Sequence, residues 1–200
     1  MRIKAMVWVV IFGLAVAACG GASPANTVGS FLDALASGEL EKAATLTTEG
    51  KLRLQKTPLS QEDQEKSEEL ARLIFGKMQY ELGDTQIEGD KATVAAAITA
   101  PDMGMILRQS IATILPMAFA AAFSDQTDEA KIDSLFMQFF ADKLSEEDTP
   151  TVTTEVTIQL ERRDGTWLIV PDDQLLSALT GRMDEAAKDL SEVFGGDQSQ

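Results

Sequence analysis

The chain has 200 residues, yet no histidine, one cysteine and few bases: 17 Lys and Arg stand against 32 Asp and Glu, a net charge of −15. Without imidazole there is no Ser–His–Asp chemistry, no His-ligated metal and no proton shuttle poised near neutrality. A single cysteine can neither close an internal disulfide nor build a thiolate zinc site. The shortage of cations excludes the clustered Lys and Arg that neutralise phosphates, so no nucleic-acid partner is expected. Arg162-Arg163 are too few for that purpose, and no G-x-G-x-x-G or Walker-type loop occurs. Asp172-Asp173 lack the spaced Asp/Asn/Gly pattern of a calcium loop and read as a helix start. The methionines are scattered, which suits gap-filling better than soft-metal ligation. No cofactor and no metal is therefore expected. What is present, 44% hydrophobic and 24% charged residues, belongs to a globular chain whose length suits one domain.

Residues 1–18 read as a processing segment, not as part of the fold. Arg2 and Lys4 precede an uncharged run from Ala5 to Ala18. As a helix that run covers roughly 21 Å, short of the ~30 Å hydrocarbon core of a bilayer. It ends in Val16-Ala17-Ala18-Cys19-Gly20, which resembles the lipobox of bacterial lipoproteins. The resemblance implies diacylglycerol transfer to the Cys19 sulfur, cleavage before Cys19 and acylation (palmitate) of the new amino terminus. It also implies a chain held on the extracytoplasmic side of a bacterial membrane, in the periplasm or at the cell surface. A plain secretory signal, with Cys19 merely near an A-x-A cleavage site, is the alternative. The lone cysteine at the end of the apolar run favours the lipobox. Residues 19–23 then form a lipidated cysteine and short tether. Loss of Arg2 and Lys4 makes the net charge two units more negative, so the lipid, not charge attraction to anionic headgroups, holds the protein to the bilayer.

Residues 24–194 read as one α+β domain, with a flexible tail at 195–200. Ser23-Pro24 has the form of an N-cap followed by a first-turn proline, and Val28, Phe31, Leu32 and Leu35 recur at helical spacing. A short helix follows from Glu39 to Thr47. The connection from Gly50 to Pro58 carries the local basic spot Lys51, Arg53 and Lys56. Ser60 and Asp63 resemble a capping box opening a helix through Phe75. The period then switches to two: Met78, Tyr80 and Leu82, a turn at Glu88–Lys91, then Ala92, Val94, Ala96 and Ile98 predict an antiparallel hairpin. A second hairpin is predicted from Val152, Thr154, Val156, Ile158 and Leu160 through Asp164-Gly165 to Trp167–Val170. Between the hairpins two helices are expected, at about 102–123 and 127–145. After Pro171 one amphipathic segment runs from Leu175 to Val193.

Several stretches resemble a family of uncharacterised bacterial lipoproteins with a nuclear transport factor 2-like (cystatin-like) fold. They are Phe31–Leu35 with Gly38–Ala43, Met78–Glu81, Asp90–Val94, Pro101–Met103 and Arg163–Ile169. The resemblance implies a cone: a four-stranded curved antiparallel sheet packed on helices, with a helical hairpin inserted between the two strand pairs, often around a pocket. Tyr80, Asp102, Phe119, Phe136 and Trp167 are the candidate pocket residues. The resemblance supplies no activity, because such folds host enzymes, binding proteins and modules without ligands.

Three readings follow from these residues. The leading one is a non-enzymatic module that binds an apolar small molecule or an envelope protein. The second is a ketosteroid-isomerase-like pocket enzyme, whose carboxylate and acidic donor have only Asp102 and Tyr80 as candidates. Against that, Asp102 suits an N-cap and Tyr80 a core position. The third is a structural envelope component.

Ile111 to Phe123 holds one polar side chain, Thr113, and Pro116. It is too short to span a bilayer. Burial on all sides is the expectation for a helix apolar all round, with Phe136, Phe139 and Phe140 as the facing stripe. An exposed apolar wall is the alternative.

Overall fold

The protein is described from a computed structural model that covers residues 22–50, 71–122 and 129–194. The processing segment with Cys19, the basic spot at 51–56, the capping box at Ser60, Phe123 and the tail from 195 lie outside the described residues.

Helix α1 (Pro24–Ala36) starts where the sequence places it: the Ser23 hydroxyl accepts the Asn26 N–H at 3.2 Å, with proline in the first turn. Helix α2 (Leu40–Thr45) is short, and a helical stretch at 71–75 precedes the sheet. Strands β1 (Gln79–Glu88) and β2 (Lys91–Pro101) form the first hairpin. Helices α3 (Met103–Ala122) and α4 (Glu129–Ser145) follow, then strands β3 (Thr151–Arg163) and β4 (Thr166–Val170). Two helices close the chain, α5 (Asp173–Leu179) and α6 (Met183–Phe194).

The fold is α+β, with a curved antiparallel sheet in the order β1-β2-β3-β4. Its central pair is non-local: β2 and β3 match over eleven residues, from Lys91↔Glu161 to Pro101↔Thr151, although α3 and α4 intervene in sequence. The Asp102 N–H donates to the Pro150 carbonyl at 2.8 Å, so the inserted hairpin leaves and returns at one point. The far edge of β4 is occupied. Thr48 N–H donates to the Ile169 carbonyl and Ile169 N–H to the Leu46 carbonyl, both at 2.8 Å, which takes away a free hydrogen-bonding edge.

Period-two alternation puts Val94, Ala96, Ile98, Val156, Ile158, Leu160, Trp167 and Ile169 on the face covered by α1, α5 and the stretch at 71–75. Phe31, Leu32 and Leu35 of α1 and Leu175 and Leu179 of α5 complete this core. A smaller cluster joins Met103 and Ile106 of α3 to Phe140 and Leu144 of α4, with Leu73 and Ile74 against it. Lys77 ties this cluster to the sheet, its amine donating to the Glu146 carbonyl and to Thr149 Oγ1.

Two expectations need correction. The segment after Pro171 is not one helix: it breaks at Thr180–Arg182, where Gly181 and Arg182 both have positive φ. Nor is α3 buried all round. Ile106 and Ile114 face inward, but Leu115, Met117 and Phe119 are 42%, 50% and 63% exposed. The helix is 20 residues, about 30 Å long, and its described contacts with α4 gather at Met103 and Ile106, near its start.

Candidate functional site

The second face of the sheet carries the described cavity of greatest interest, and the register explains its shape. Residues paired across antiparallel strands point to the same side. One row reads Glu81–Ala97–Glu155 and the next sets Ala95 beside Thr157. On β1 the register shifts between Leu82 and Thr85, which brings Gly83 against Ala95. The middle strand thus presents methyl groups where its neighbours present longer side chains. The result is an open trough of about 660 Å³ along β2, floored by Ala95 and Ala97. Glu81, Asp84 and Glu155 stand at its rim, with Thr157 and with Gln174 from the first turn of α5. Glu81 and Glu155 sit two strands apart, roughly 10 Å at sheet spacing, too far to share one proton or one small ion. Among the described residues no cluster of carboxylates or cysteine is arranged to hold a metal. The trough suits the docking of a polar, cationic segment lying along the strands.

Each residue proposed from sequence as pocket lining has its own described setting. Tyr80 lies under α1, and its hydroxyl donates to Asp33 Oδ1 at 2.7 Å. Asp102 caps α3, accepting the Met105 N–H at 2.7 Å. Trp167 is in the core, with the Arg162 guanidinium 5.1 Å above its ring. Phe136 stacks on Phe140 at 6.0 Å within α4, and Phe119 is largely exposed on α3. None of these five lines the trough. Asp172 is a cap, as its position after Pro171 suggests: its carboxylate accepts the Leu175 N–H at 2.8 Å.

Burial raises the Tyr80 pKa to about 12, and the hydrogen bond to Asp33 and that residue's negative charge push the same way. Proton loss is thus harder in the folded state than in the unfolded chain. The stabilisation is fully present below about pH 10 and is lost as pH rises towards 12. Tyr80→Phe is expected to cost about 1 kcal/mol at neutral pH, the worth of one hydrogen bond on a half-exposed pair. Urea midpoints at about pH 8 and pH 11 test this: the gap between wild type and Tyr80→Phe should narrow at the higher pH. A gap that does not change with pH would remove the linkage.

Sequence reasoning missed the trough. Ala95 and Ala97 were visible only as the other phase of a strand, and alanine there carries no signal until the neighbouring strands and the bulge at Gly83 are in register. No protein-family model, no curated protein and no solved structure matches the chain.

Proposed function

We propose that the protein is a lipid-anchored extracytoplasmic module of a bacterial envelope that works by binding, with the open face of its sheet as the recognition surface. The anchoring part rests on Val16-Ala17-Ala18-Cys19. The binding part rests on one observation: the alanine-floored, carboxylate-rimmed trough along β2. Its open shape and acidic rim favour a protein segment carrying Lys or Arg over an enclosed apolar small molecule. The pocket-enzyme reading has less support, because the Tyr80 O–H is spent on Asp33 and the Asp102 carboxylate on the α3 terminus. The finer assignment to a nuclear transport factor 2-like cone belongs to the same proposal. It rests on the quoted stretches and on helices lying against one face of the curved sheet.

Anchoring is tested by Cys19→Ser, which should abolish incorporation of an alkynyl fatty acid and leave the precursor uncleaved. Normal labelling of that variant would defeat the lipobox assignment. Binding is tested by Glu81→Lys with Glu155→Lys, two exposed positions where little stability is at stake. Crosslinking in native membranes should lose a protein adduct that the wild type forms. An unchanged adduct pattern would show that the trough is not the contact.

A further inference from the structure

We infer that the recognised segment binds as a fifth strand on the outer edge of β1, with Lys or Arg towards the trough and apolar side chains towards the core face. This rests on the open face being the recognition surface, as proposed above, and specifies how that face is used. The two ends of the sheet differ. The β4 end is closed, because Leu46 and Thr48 bond to both backbone groups of Ile169. At the β1 end, among the described residues, no backbone group outside the hairpin pairs with Gln79–Glu88. Proteins guard long edges with Lys, Pro, a short strand or a bulge. Strand β1 has ten residues, no Lys and no Pro, and beyond its bulge every residue from Thr85 to Glu88 is exposed.

Two observations set the partner's chemistry. The first is an unfinished row on the core face. Ile169, Leu160, Ala92 and Ile87 stand side by side across the four strands. The first three are 0%, 1% and 4% exposed, but Ile87 is 57% exposed. Side chains in register on neighbouring strands share a face, so a further strand sets an apolar residue against Ile87 and continues the row.

The second is charge. Strand β1 carries Glu81, Asp84 and Glu88 and no cation. Glu88 faces Lys91 across the hairpin, but Glu81 and Asp84 line the trough, and no ion pair among the described residues engages them. Pairing of β1 with a second copy of itself would crowd three carboxylates from each chain onto one seam, in a protein of net charge −15. A strand bearing Lys or Arg at every second position meets opposite charge there instead. Backbone bonds then supply affinity and the alternating side chains supply selection, which is recognition by strand addition.

The test uses the full chain purified from membranes in detergent. The probe is a capped peptide of alternating valine and lysine, about seven residues long as for an ordinary strand. At a peptide concentration about ten times its Kd, alternate amides of β1, those on its outer edge, should exchange hydrogen about tenfold more slowly. N-methylation of the peptide on one strand edge should abolish binding and on the other should spare it, since alternate residues turn their N–H groups to opposite edges. Ile87→Asp, at an exposed position, should weaken binding about tenfold. If Glu81→Lys with Glu155→Lys releases the peptide, but β1 exchange does not change on binding and N-methylation has no effect, strand addition is overturned while the trough stands. If that double variant binds as the wild type does, the trough reading fails and the charge selection of the strand falls with it. Absence of binding overturns strand addition. Outer-edge amides already slow without peptide would mean that this chain fills the edge itself, from Lys51–Lys56 or a second copy, and would overturn it too.

Discussion

Replacing Gly181 by alanine should unfold the protein or cost about 3 kcal/mol or more, by combining left-handed strain with a backbone clash. Gly181 has φ of +51°, and a Cβ there would lie 1.9 Å from the Pro101 carbonyl oxygen and 3.0 Å from the Met103 nitrogen. All of those atoms are main chain, so no rotamer change relieves the contact. The position joins three parts of the molecule. It ends α5, begins the turn into α6, and accepts the Gly104 N–H at 3.2 Å where β2 passes into α3. Moving it separates the sheet from the helical hairpin. Gly89 provides the control. Its φ is +63° but a Cβ there meets nothing within 4 Å, so Gly89→Ala should carry only the conformational cost, roughly 1–2 kcal/mol. Equal urea midpoints for the two variants would refute the packing role assigned to Gly181.

Trp167→Ala should cost about 3–5 kcal/mol, in the range of large aromatic truncations in cores. The ring is 6% exposed and belongs to the main core with Leu160 and Ile169. Its other side is closed by Arg162, the cross-strand partner of Trp167, whose guanidinium also donates to Asp90 Oδ1 at 2.8 and 2.9 Å. Asp90, Arg162 and Trp167 form a stack that seals one end of the sheet. Arg162→Ala should cost far less, on the order of 1 kcal/mol, because its ion pair is exposed and the cation–π contact is the part that remains. Denaturant midpoints for the two variants measure the difference. A Trp167→Ala midpoint close to that of Arg162→Ala would place the ring outside the core.

The residues that made the fold readable did so through period and capping. Val94, Ala96 and Ile98, like Val156, Ile158 and Leu160, alternate because, among the described residues, helices cover one face of their sheet, and such sheets write burial directly into sequence. Ser23, Asp102 and Asp172 announce helix starts because orphan N–H groups need acceptors there. The break at Gly181 was hidden by Leu175, Leu179 and Met183, whose spacing runs on across it. Composition also misled for α3. An uncharged helix reads as internal, but hydropathy measures what a surface prefers to touch, not whether this chain provides it. The candidate site was the least legible part. A trough made by small side chains between longer ones exists only in the register of three strands. Of the residues named from sequence, Asp102 serves as a cap, Trp167 as a core side chain and Phe136 as a stacking partner.

The meeting of Asp102 and Pro150 has a consequence for how the chain finds its shape. Strands β2 and β3 would ordinarily have to search across the whole insertion before gaining any contact, and loop closure of that kind slows folding. Helices α3 and α4 contact each other locally through Ile106, Phe140 and Leu144, so the hairpin can form before the sheet does. Once formed, it acts as a splint that sets Pro101 beside Thr151, the first rung of the central ladder. The remaining rungs then close one after another, and a long-range pairing problem becomes a zipper started from a fixed end.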